Sequence, residues 1–261
     1  MKKIDDNFVV LDFETSGLDY ITDRIIEIGA ILHNKSGTKE MSCLVNQCIP
    51  ITEASIKIHG ISERDLLTKG RQADEAFKEL MDFIGSRPII AHNGLKFDYV
   101  FLVNQLTRLG IAIPDNQILD SCVISRQVIP EVRSFSLADL CLHFDITNTD
   151  PHRAIGDCYA TLAIWHKLEK MDYSNQAYDQ DLPQRLSDYI KIPHHLYGLK
   201  QAIRTQSDIE IKYQMKDVQV TIRIKPKRII LGPAGRLYCF AICLKTAMEK
   251  QYRLDRIKQI E

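Results

Sequence analysis

The sequence has few of the features that mark secreted or membrane proteins. No apolar run approaches the ~18 residues of a membrane-spanning helix. The opening residues, M-K-K-I-D-D, lack the apolar segment of a secretory signal. Internal repeats and low-complexity runs are also missing. We therefore expect a cytoplasmic protein with no membrane partner, and a length of 261 residues predicts one large or two small domains.

Cysteine is present but is not arranged for structural metal binding. The seven cysteines are an odd number and form no C-x-x-C pair. Several of them, such as Cys141 and Cys158, stand in apolar segments. This pattern predicts reduced thiols inside a core and argues against a zinc site.

The chain has no net charge, but the two signs are unevenly distributed. Residues 1–194 carry 20 Lys and Arg against 28 Asp and Glu, a balance of −8, and residues 195–261 carry 14 against 6, a balance of +8. We expect a catalytic domain over residues 1–171, a polar linker with a connecting helix over 172–194, and a basic β domain over 195–261. Such a domain can bind an anion such as a nucleic-acid backbone, although a solvated charged surface has the same composition.

Four carboxylates and one histidine stand in or beside apolar segments of the first 160 residues. Asp12 and Glu14 occur in V-V-L-D-F-E-T-S-G-L, where strand alternation would place both side chains on one face. Asp98 follows a second short strand, and His152 and Asp157 stand where a helix begins. Isolated charges in such places are costly, so we expect the acids to converge on divalent cations, and their hard oxygens suit Mg²⁺ or Mn²⁺. Taken singly, each acid could instead cap a helix or pair with a cation, and the histidine could lie in a surface loop.

These residues fall in segments that resemble the DEDDh (DnaQ-like) 3′→5′ exonuclease superfamily. The resemblance extends over about residues 7–168. Its segments, in chain order, are D-F-E-T-S-G-L, I-I-E-I-G-A, I-H-G-I, H-N-G-L-K-F-D and H-R-A-I-G-D. Each segment alone is a weak match, but the ordered set is specific. The resemblance implies an α/β fold of the RNase H-like kind, with a mixed sheet flanked by helices.

The same resemblance implies the roles of the five residues. Asp12, Glu14, Asp98 and Asp157 would bind two Mg²⁺ or Mn²⁺ ions, and His152 would be the general base. Two metals roughly 3.5–4 Å apart can serve the attacking and leaving oxygens of a phosphodiester. A histidine titrates near neutral pH and can take a proton from the attacking water.

A second set of residues is implied to contact the substrate. Thr15 and Leu18 would lie near the 3′ end, and His59 would contact the terminal base or sugar. Asn93 and Phe97 can also touch the substrate. His59 is equally well explained as an ordinary histidine beside a helix, and Asn93 and Phe97 as a turn residue and a core residue.

The C-terminal part alternates apolar and polar residues, with a turn at G-P-A-G (232–235), and this predicts a small, bent antiparallel sheet or barrel. Its predicted strands are 209–213, 218–224, 227–231, 237–244 and 251–257. The order I-K-P-K-R-I, G-R-L-Y-C-F-A-I and Y-R-L-D-R-I resembles the WYL domain, an SH3-like barrel. Leu237 and Cys239 replace the Trp and Leu of the triplet that names the family. The resemblance implies that Arg253 and Arg256 belong to an anion or nucleic-acid site, and the alternative is that they are edge-strand charges.

The sequence therefore predicts a metal-dependent 3′→5′ exonuclease that acts on single-stranded nucleic acid with a free 3′ end and releases nucleoside 5′-monophosphates. DNA and RNA both remain open as substrates, because the catalytic residues are shared by both kinds of enzyme. An alternative of another class is a regulatory nucleic-acid-binding protein in which the WYL-like module is a sensor. As partners we also consider a homodimer or a larger nucleic-acid-processing complex, such as one that contains a polymerase.

Overall fold

A computed structural model of the chain describes residues 4–171, 182–232 and 236–260. It divides into two compact units, Met1–Asp188 and Tyr189–Glu261. Residues 172–181 of the predicted linker, and 233–235 of the predicted turn, lie outside the described residues. The linker boundaries at 171 and 194 therefore stay predictions. Among the described residues, none of the helices has the length and apolar character needed to cross a membrane.

The first unit is built on a mixed six-stranded sheet. Its strands are β1 (Asn7–Thr15), β2 (Ile25–Asn34), β3 (Gly37–Asn46), β4 (Arg71–Gln72), β5 (Ile89–Ala91) and β6 (Ile118–Asp120). They lie in the order β4-β3-β2-β1-β5-β6. β1 pairs antiparallel with β2 and parallel with β5, so it lies inside the sheet. Its apolar residues are buried on both faces, which explains the continuous run F-V-V-L.

Seven helices of the first unit accompany this sheet in the described residues. They are α1 (Glu53–His59), α2 (Glu63–Lys69), α3 (Ala73–Ile84), α4 (Asp98–Leu109), α5 (Ser121–Val128), α6 (Leu137–His143) and α7 (Ala154–Glu169). Helix α7 packs on β1 and β2, where its Trp165 is fully buried. The predicted α/β fold with a mixed sheet and helices is confirmed.

In its described residues, the second unit is an antiparallel sheet with one α-helix, α8 (Tyr197–Thr205). Its strands are β7 (Ile209–Met215), β8 (Val218–Gly232), β9 (Arg236–Cys243), β10 (Met248–Arg253) and β11 (Ile257–Ile260), in the order β10-β9-β8-β7-β11. The core includes Leu199 of the helix and Ile211, Ile224 and Cys239 of the sheet. The all-β character predicted for this part is confirmed.

Two strand predictions in the second unit were wrong in detail. The segments 218–224 and 227–231, predicted as separate strands, form the single strand β8, whose pairing with β9 shifts register between Pro226 and Arg228. Such a bulge bends one strand without ending it. The segment 251–257, predicted as one strand, is interrupted by a 3₁₀ turn at Leu254–Arg256.

Candidate active site

Three of the four predicted metal-binding carboxylates converge. Asp12 and Glu14 alternate along β1, and Asp157 lies in the first turn of α7. One oxygen from each lies within 4.8 Å of the other two. The strand periodicity and the packing of α7 on β1 therefore create a cluster of oxygen ligands of the kind that Mg²⁺ and Mn²⁺ prefer.

Asp98, the fourth predicted ligand, lies beside this cluster and not within it. It is the first residue of α4, is 2% exposed, and its Oδ1 accepts a hydrogen bond of 3.1 Å from the backbone N–H of Phe13. This contact ties the start of α4 to the strand between Asp12 and Glu14. The negative charge of Asp98 raises the pKa of Asp12, so the two groups interact.

The clustered carboxylates resist ionisation in the absence of cations. Burial raises the pKa of Asp12 well above its ordinary value, and the neighbouring acids raise it further. Burial is also the main cause that raises the pKa of Glu14 to about 8 and that of Asp98 to about 8. Divalent cations would compensate this mutual repulsion, so the residues present fit a metal site with oxygen ligands.

Asp157 is held in place by two hydrogen bonds. Its Oδ1 accepts from Asn148 Nδ2 at 2.6 Å, and its Oδ2 accepts from the backbone N–H of His152 at 3.2 Å. His152 is exposed and has a φ of 60°, in the left-handed region that non-glycine residues rarely occupy. Backbone strain of this kind is frequent at functional sites.

Glu27, a residue that was not predicted to belong to the site, completes its wall. Glu27 is directly opposite Glu14 in the β1–β2 pairing and is 1% exposed. It accepts hydrogen bonds from Arg153 Nε, at 3.1 Å to each oxygen, and from the backbone N–H of Ala154 at 3.0 Å. The segment I-I-E-I-G-A does indicate that Glu27 has a partner, because a charge inside a buried strand is costly without one.

The residues predicted to contact substrate occupy different environments. Leu18 is 77% exposed and free to meet a ligand. Thr15 is buried, and its hydroxyl donates to the carbonyl of Gly17 at 2.7 Å. His59 is the last residue of α1 and is buried, and its Nδ1 accepts from the N–H of Ile61 at 3.0 Å. Burial lowers the pKa of His59.

Asn93 and Phe97 belong to the loop between β5 and α4. Asn93 has a φ of 59°, and its N–H donates to Asp120 Oδ1 at 3.0 Å. Asp120 also accepts from the N–H of Leu95, so this buried carboxylate orders the loop that leads to Asp98. The Phe97 ring lies 4.9 Å from that of Phe101.

In the second unit, the two arginines lie at the end of β10 and in the following turn. Arg253 Nε donates to Asp255 Oδ1 at 3.0 Å, so its charge is partly compensated by a neighbour two residues away. Arg256 is half-buried in the 3₁₀ turn. Both arginines stay candidates for an anion site.

Comparisons with known proteins agree with this geometry. Residues 9–165 match the family model described as exonuclease, and residues 194–261 match the WYL domain. The chain is 30% identical over 218 residues to the PolC-type DNA polymerase III of Caldanaerobacter subterraneus subsp. tengcongensis, covering 81% of this chain and 15% of that protein. It is 31% identical over 169 residues to the PolC-type DNA polymerase III of Bacillus subtilis (strain 168), and this match covers 64% of this chain and 12% of that protein. The chain thus spans a small part of these relatives.

Solved structures show the same fold. E. coli exonuclease I in complex with a dA16 oligonucleotide superimposes with a TM-score of 0.57 at 17% identity, covering 91% of this chain and 55% of that one. A second structure of exonuclease I gives a TM-score of 0.58 at 18% identity. At identities this low, the similarity describes the fold alone.

Proposed function

The chain belongs to the exonuclease family whose model matches residues 9–165, and we propose that it is a metal-dependent 3′→5′ exonuclease. Its substrate would be single-stranded DNA or RNA with a free 3′ end, and its products nucleoside 5′-monophosphates. The observation that supports this most directly is the convergence of Asp12, Glu14 and Asp157 within 4.8 Å, with Asp98 adjacent.

These four carboxylates would hold two Mg²⁺ or Mn²⁺ ions. When bound, such ions lower the pKa of water and stabilise the leaving oxygen of a phosphodiester. The chain itself supplies the fixed geometry of the ligands. β1 orients Asp12 and Glu14, the Phe13 N–H orients Asp98, and Asn148 orients Asp157.

His152 would accept the proton of the attacking water. Its backbone is fixed by the hydrogen bond to Asp157, and its exposure leaves the ring accessible to solvent and substrate. Histidine is the side chain most often used to take a proton from an attacking water in enzymes.

The terminal nucleotide would lie against the loop that follows β1. Leu18 presents an exposed apolar side chain there, and the Thr15 hydroxyl stabilises the turn before it. Burial is the main cause that lowers the pKa of His59, and a hydrogen bond with the backbone of Thr15 opposes it, which supports a position beside the end of β1. Asn93 and Phe97 would support the substrate from the loop before α4.

The WYL domain would add affinity for the nucleic-acid backbone or sense a ligand. Its support is the net charge of +8 over residues 195–261. Arg253 and Arg256 would contribute to such a surface. The curated relatives are named as DNA polymerases, which makes DNA the first substrate to test.

The test uses end-labelled single-stranded DNA, single-stranded RNA and duplexes, each with Mg²⁺, Mn²⁺ or EDTA. We expect 5′-monophosphates released from the 3′ end and no turnover in EDTA. Asp12→Ala and Asp157→Ala should abolish turnover, whereas Asp82→Ala, which removes an exposed acid of α3, should not. Full activity in excess EDTA, or cleavage of a covalently closed circle, would contradict the proposal.

A further inference from the structure

Glu27 lies in the wall of the candidate site but is neither one of the four candidate metal ligands nor the candidate general base. In the β1–β2 pairing, Glu27 is opposite Glu14 and Gly29 is opposite Asp12. Residues directly opposite each other in antiparallel strands point to the same face of the sheet. Glu27 and Gly29 are therefore the cross-strand neighbours of the two β1 acids.

Glu27 caps helix α7 from the sheet. The N-cap residue of α7, Arg153, makes no capping hydrogen bond with its own side chain. Glu27 Oε2 accepts from the N–H of Ala154, the first residue of the helix, at 3.0 Å. A carboxylate at this position both satisfies a free backbone donor and opposes the positive end of the helix dipole.

The guanidinium of Arg153 binds the same carboxylate. Its Nε lies 3.1 Å from each oxygen of Glu27, and its Nη2 also contacts Oε1. Because Arg153 and Ala154 are consecutive, Glu27 binds the chain at the point where the loop enters the helix. His152 precedes this pair and Asp157 follows it by one helical turn.

Gly29 allows the start of α7 to lie close to β2. A Cβ atom at position 29 would lie 2.4 Å from the carbonyl carbon of Ala154. The start of α7 therefore rests directly on the backbone of β2. Glu27 and Gly29, two residues apart on one face, together explain how E-I-G holds the start of α7 against this strand.

We propose that Glu27 is a positioning residue of the site, which anchors Ala154 and Arg153 to β2 and thereby places His152 and Asp157 beside Asp12 and Glu14. Its consequence for catalysis rests on the proposed function, but its consequence for metal binding does not. Polar partners of metal ligands typically change metal affinity or activity by about 10–100-fold when they are removed.

Substitutions of Glu27 and of Arg153 should not have equal effects on the site. Arg153→Gln leaves the buried Glu27 without its cation beside Glu14, and an unpaired buried charge is strongly unfavourable. Glu27→Gln leaves Arg153, whose side chain is 41% exposed, in contact with water. Removing both charges should therefore be less harmful than removing that of Arg153 alone. If the ion pair only stabilised the fold, the two single variants would not differ in Mn²⁺ affinity in this way.

The experiment compares the full-length wild type with Glu27→Gln, Arg153→Gln and the double variant. Measurements are Mn²⁺ affinity by calorimetry, the melting temperature in EDTA, and kcat and KM. The matched controls are Glu79→Gln and Arg71→Gln, which break an ion pair of 2.6 Å between β4 and α3. We expect Arg153→Gln to lose about 10–100-fold in Mn²⁺ affinity and in kcat with KM unchanged. Glu27→Gln should lose less, the double variant should recover part of the loss, and the controls should bind Mn²⁺ like the wild type.

Two results would overturn the inference. One is wild-type Mn²⁺ affinity in Arg153→Gln. The other is a loss of affinity that follows the melting temperature equally in all variants and controls, which would make the pair merely structural. If the wild type cleaved no nucleic acid while the Mn²⁺ affinities followed the expected order, the proposed function would fail and the positioning role would stand.

Discussion

At the scale of single residues, the candidate site is dominated by buried carboxylates. Asp12, Glu14 and Asp98 all have raised pKa values, first because of burial and then because of the negative charges of neighbouring acids. Acids with raised pKa values in a cleft are typical of functional sites. The fold maintains an arrangement that is unfavourable for the metal-free protein and favourable for a metal complex.

The raised pKa of Glu14 predicts how the stability of the metal-free protein depends on pH. The Glu14 pKa is raised from 4.5 to about 8 by folding, so between these values the folded state binds more protons than the unfolded state. The free energy of unfolding in EDTA should therefore fall as pH rises through this window and level off above it. Urea denaturation at several pH values measures it.

Two comparisons test whether the carboxylates of the site cause this pH dependence of stability. The variant Glu14→Gln should flatten the dependence, because it removes one of the titrating groups. Saturating Mn²⁺ should reverse the trend, because metal binding requires the deprotonated carboxylates and releases protons. A stability in EDTA that is constant or rising over the same window would contradict the raised pKa values of these carboxylates.

His152 gives a second prediction at this scale. His152→Ala should lower kcat by about 10²–10⁴-fold, the usual contribution of a general base, with little change in KM. The matched control is His143→Ala, which removes another exposed histidine of the same unit. Steady-state kinetics over pH 5 to pH 9 should also show the loss of one ionisation. A variant with nearly normal kcat would leave His152 as a strained loop residue.

The acids of the site could be predicted from sequence, but the residues that hold them could not. Asp12 and Glu14 stand out because charges interrupt an apolar strand. Glu27 also interrupts one, yet its partner Arg153 is 126 positions away, and no local spacing indicates the pair. Asn148, which orients Asp157, is a polar loop residue without any distinguishing context.

At the scale of elements, the contact of α7 with β2 controls the site, and Gly29 is the position that tests it. In Gly29→Ala the added Cβ would overlap Ala154 and push the start of α7 away from the sheet. We expect a loss of roughly 1–3 kcal/mol in the free energy of unfolding, typical of overpacking. Mn²⁺ affinity should fall as well, because Asp157 moves with the helix.

The control is Gly198→Ala in α8. A Cβ at that position would meet Ile260 Cγ2 at 3.5 Å, an ordinary contact. Alanine is favoured over glycine inside a helix by about 0.5–1 kcal/mol, so this variant should be as stable as the wild type or more stable. Equal behaviour of the two variants in denaturation and calorimetry would show that α7 tolerates displacement.

Elements with a strong apolar pattern were predictable from the sequence, and several short ones were not. β1 is a continuous apolar run and α3 shows helical spacing of its apolar residues, whereas α1, α2, α5, β4 and β6 are too short to show a clear period. Helix α2 did carry a local signal, since Ser62 and Asp65 form a capping box. In β8, Pro226 suggested a strand end, but the register shift beside it lets the strand continue.

At the scale of the whole molecule, negative and positive net charge are concentrated in different parts of the chain. The acidic part contains the candidate metal ligands, and residues 195–261 carry a net charge of +8. Binding of a nucleic-acid backbone by a basic surface releases counterions and weakens as salt rises. The uneven charge thus predicts that the binding of long strands, which offer more phosphates than a short oligonucleotide, depends more strongly on salt.

The best place to divide the chain follows from its hydrogen bonds. The carbonyl of Gln184 accepts from the N–H of Ile118, and the N–H of Leu186 donates to the carbonyl of Asn116. These contacts show that the first unit continues past residue 184, so a truncated protein should end at Asp188 and not before Leu186. It would keep all the candidate catalytic residues.

We expect the protein truncated after Asp188 to fold and to retain metal-dependent cleavage of short oligonucleotides. Its affinity for long single strands should fall, because the basic residues after this point are gone. Each lost phosphate contact should flatten the log–log salt dependence by about 0.7 for a single strand. Fluorescence anisotropy with a short and a long labelled strand at several salt concentrations measures both effects. The full-length double variant Arg253→Ala, Arg256→Ala should reproduce part of them. Identical affinity and salt slope in the truncated and full-length proteins would mean that the WYL domain binds something other than the nucleic-acid backbone, since a surface that releases no counterions contacts no phosphates.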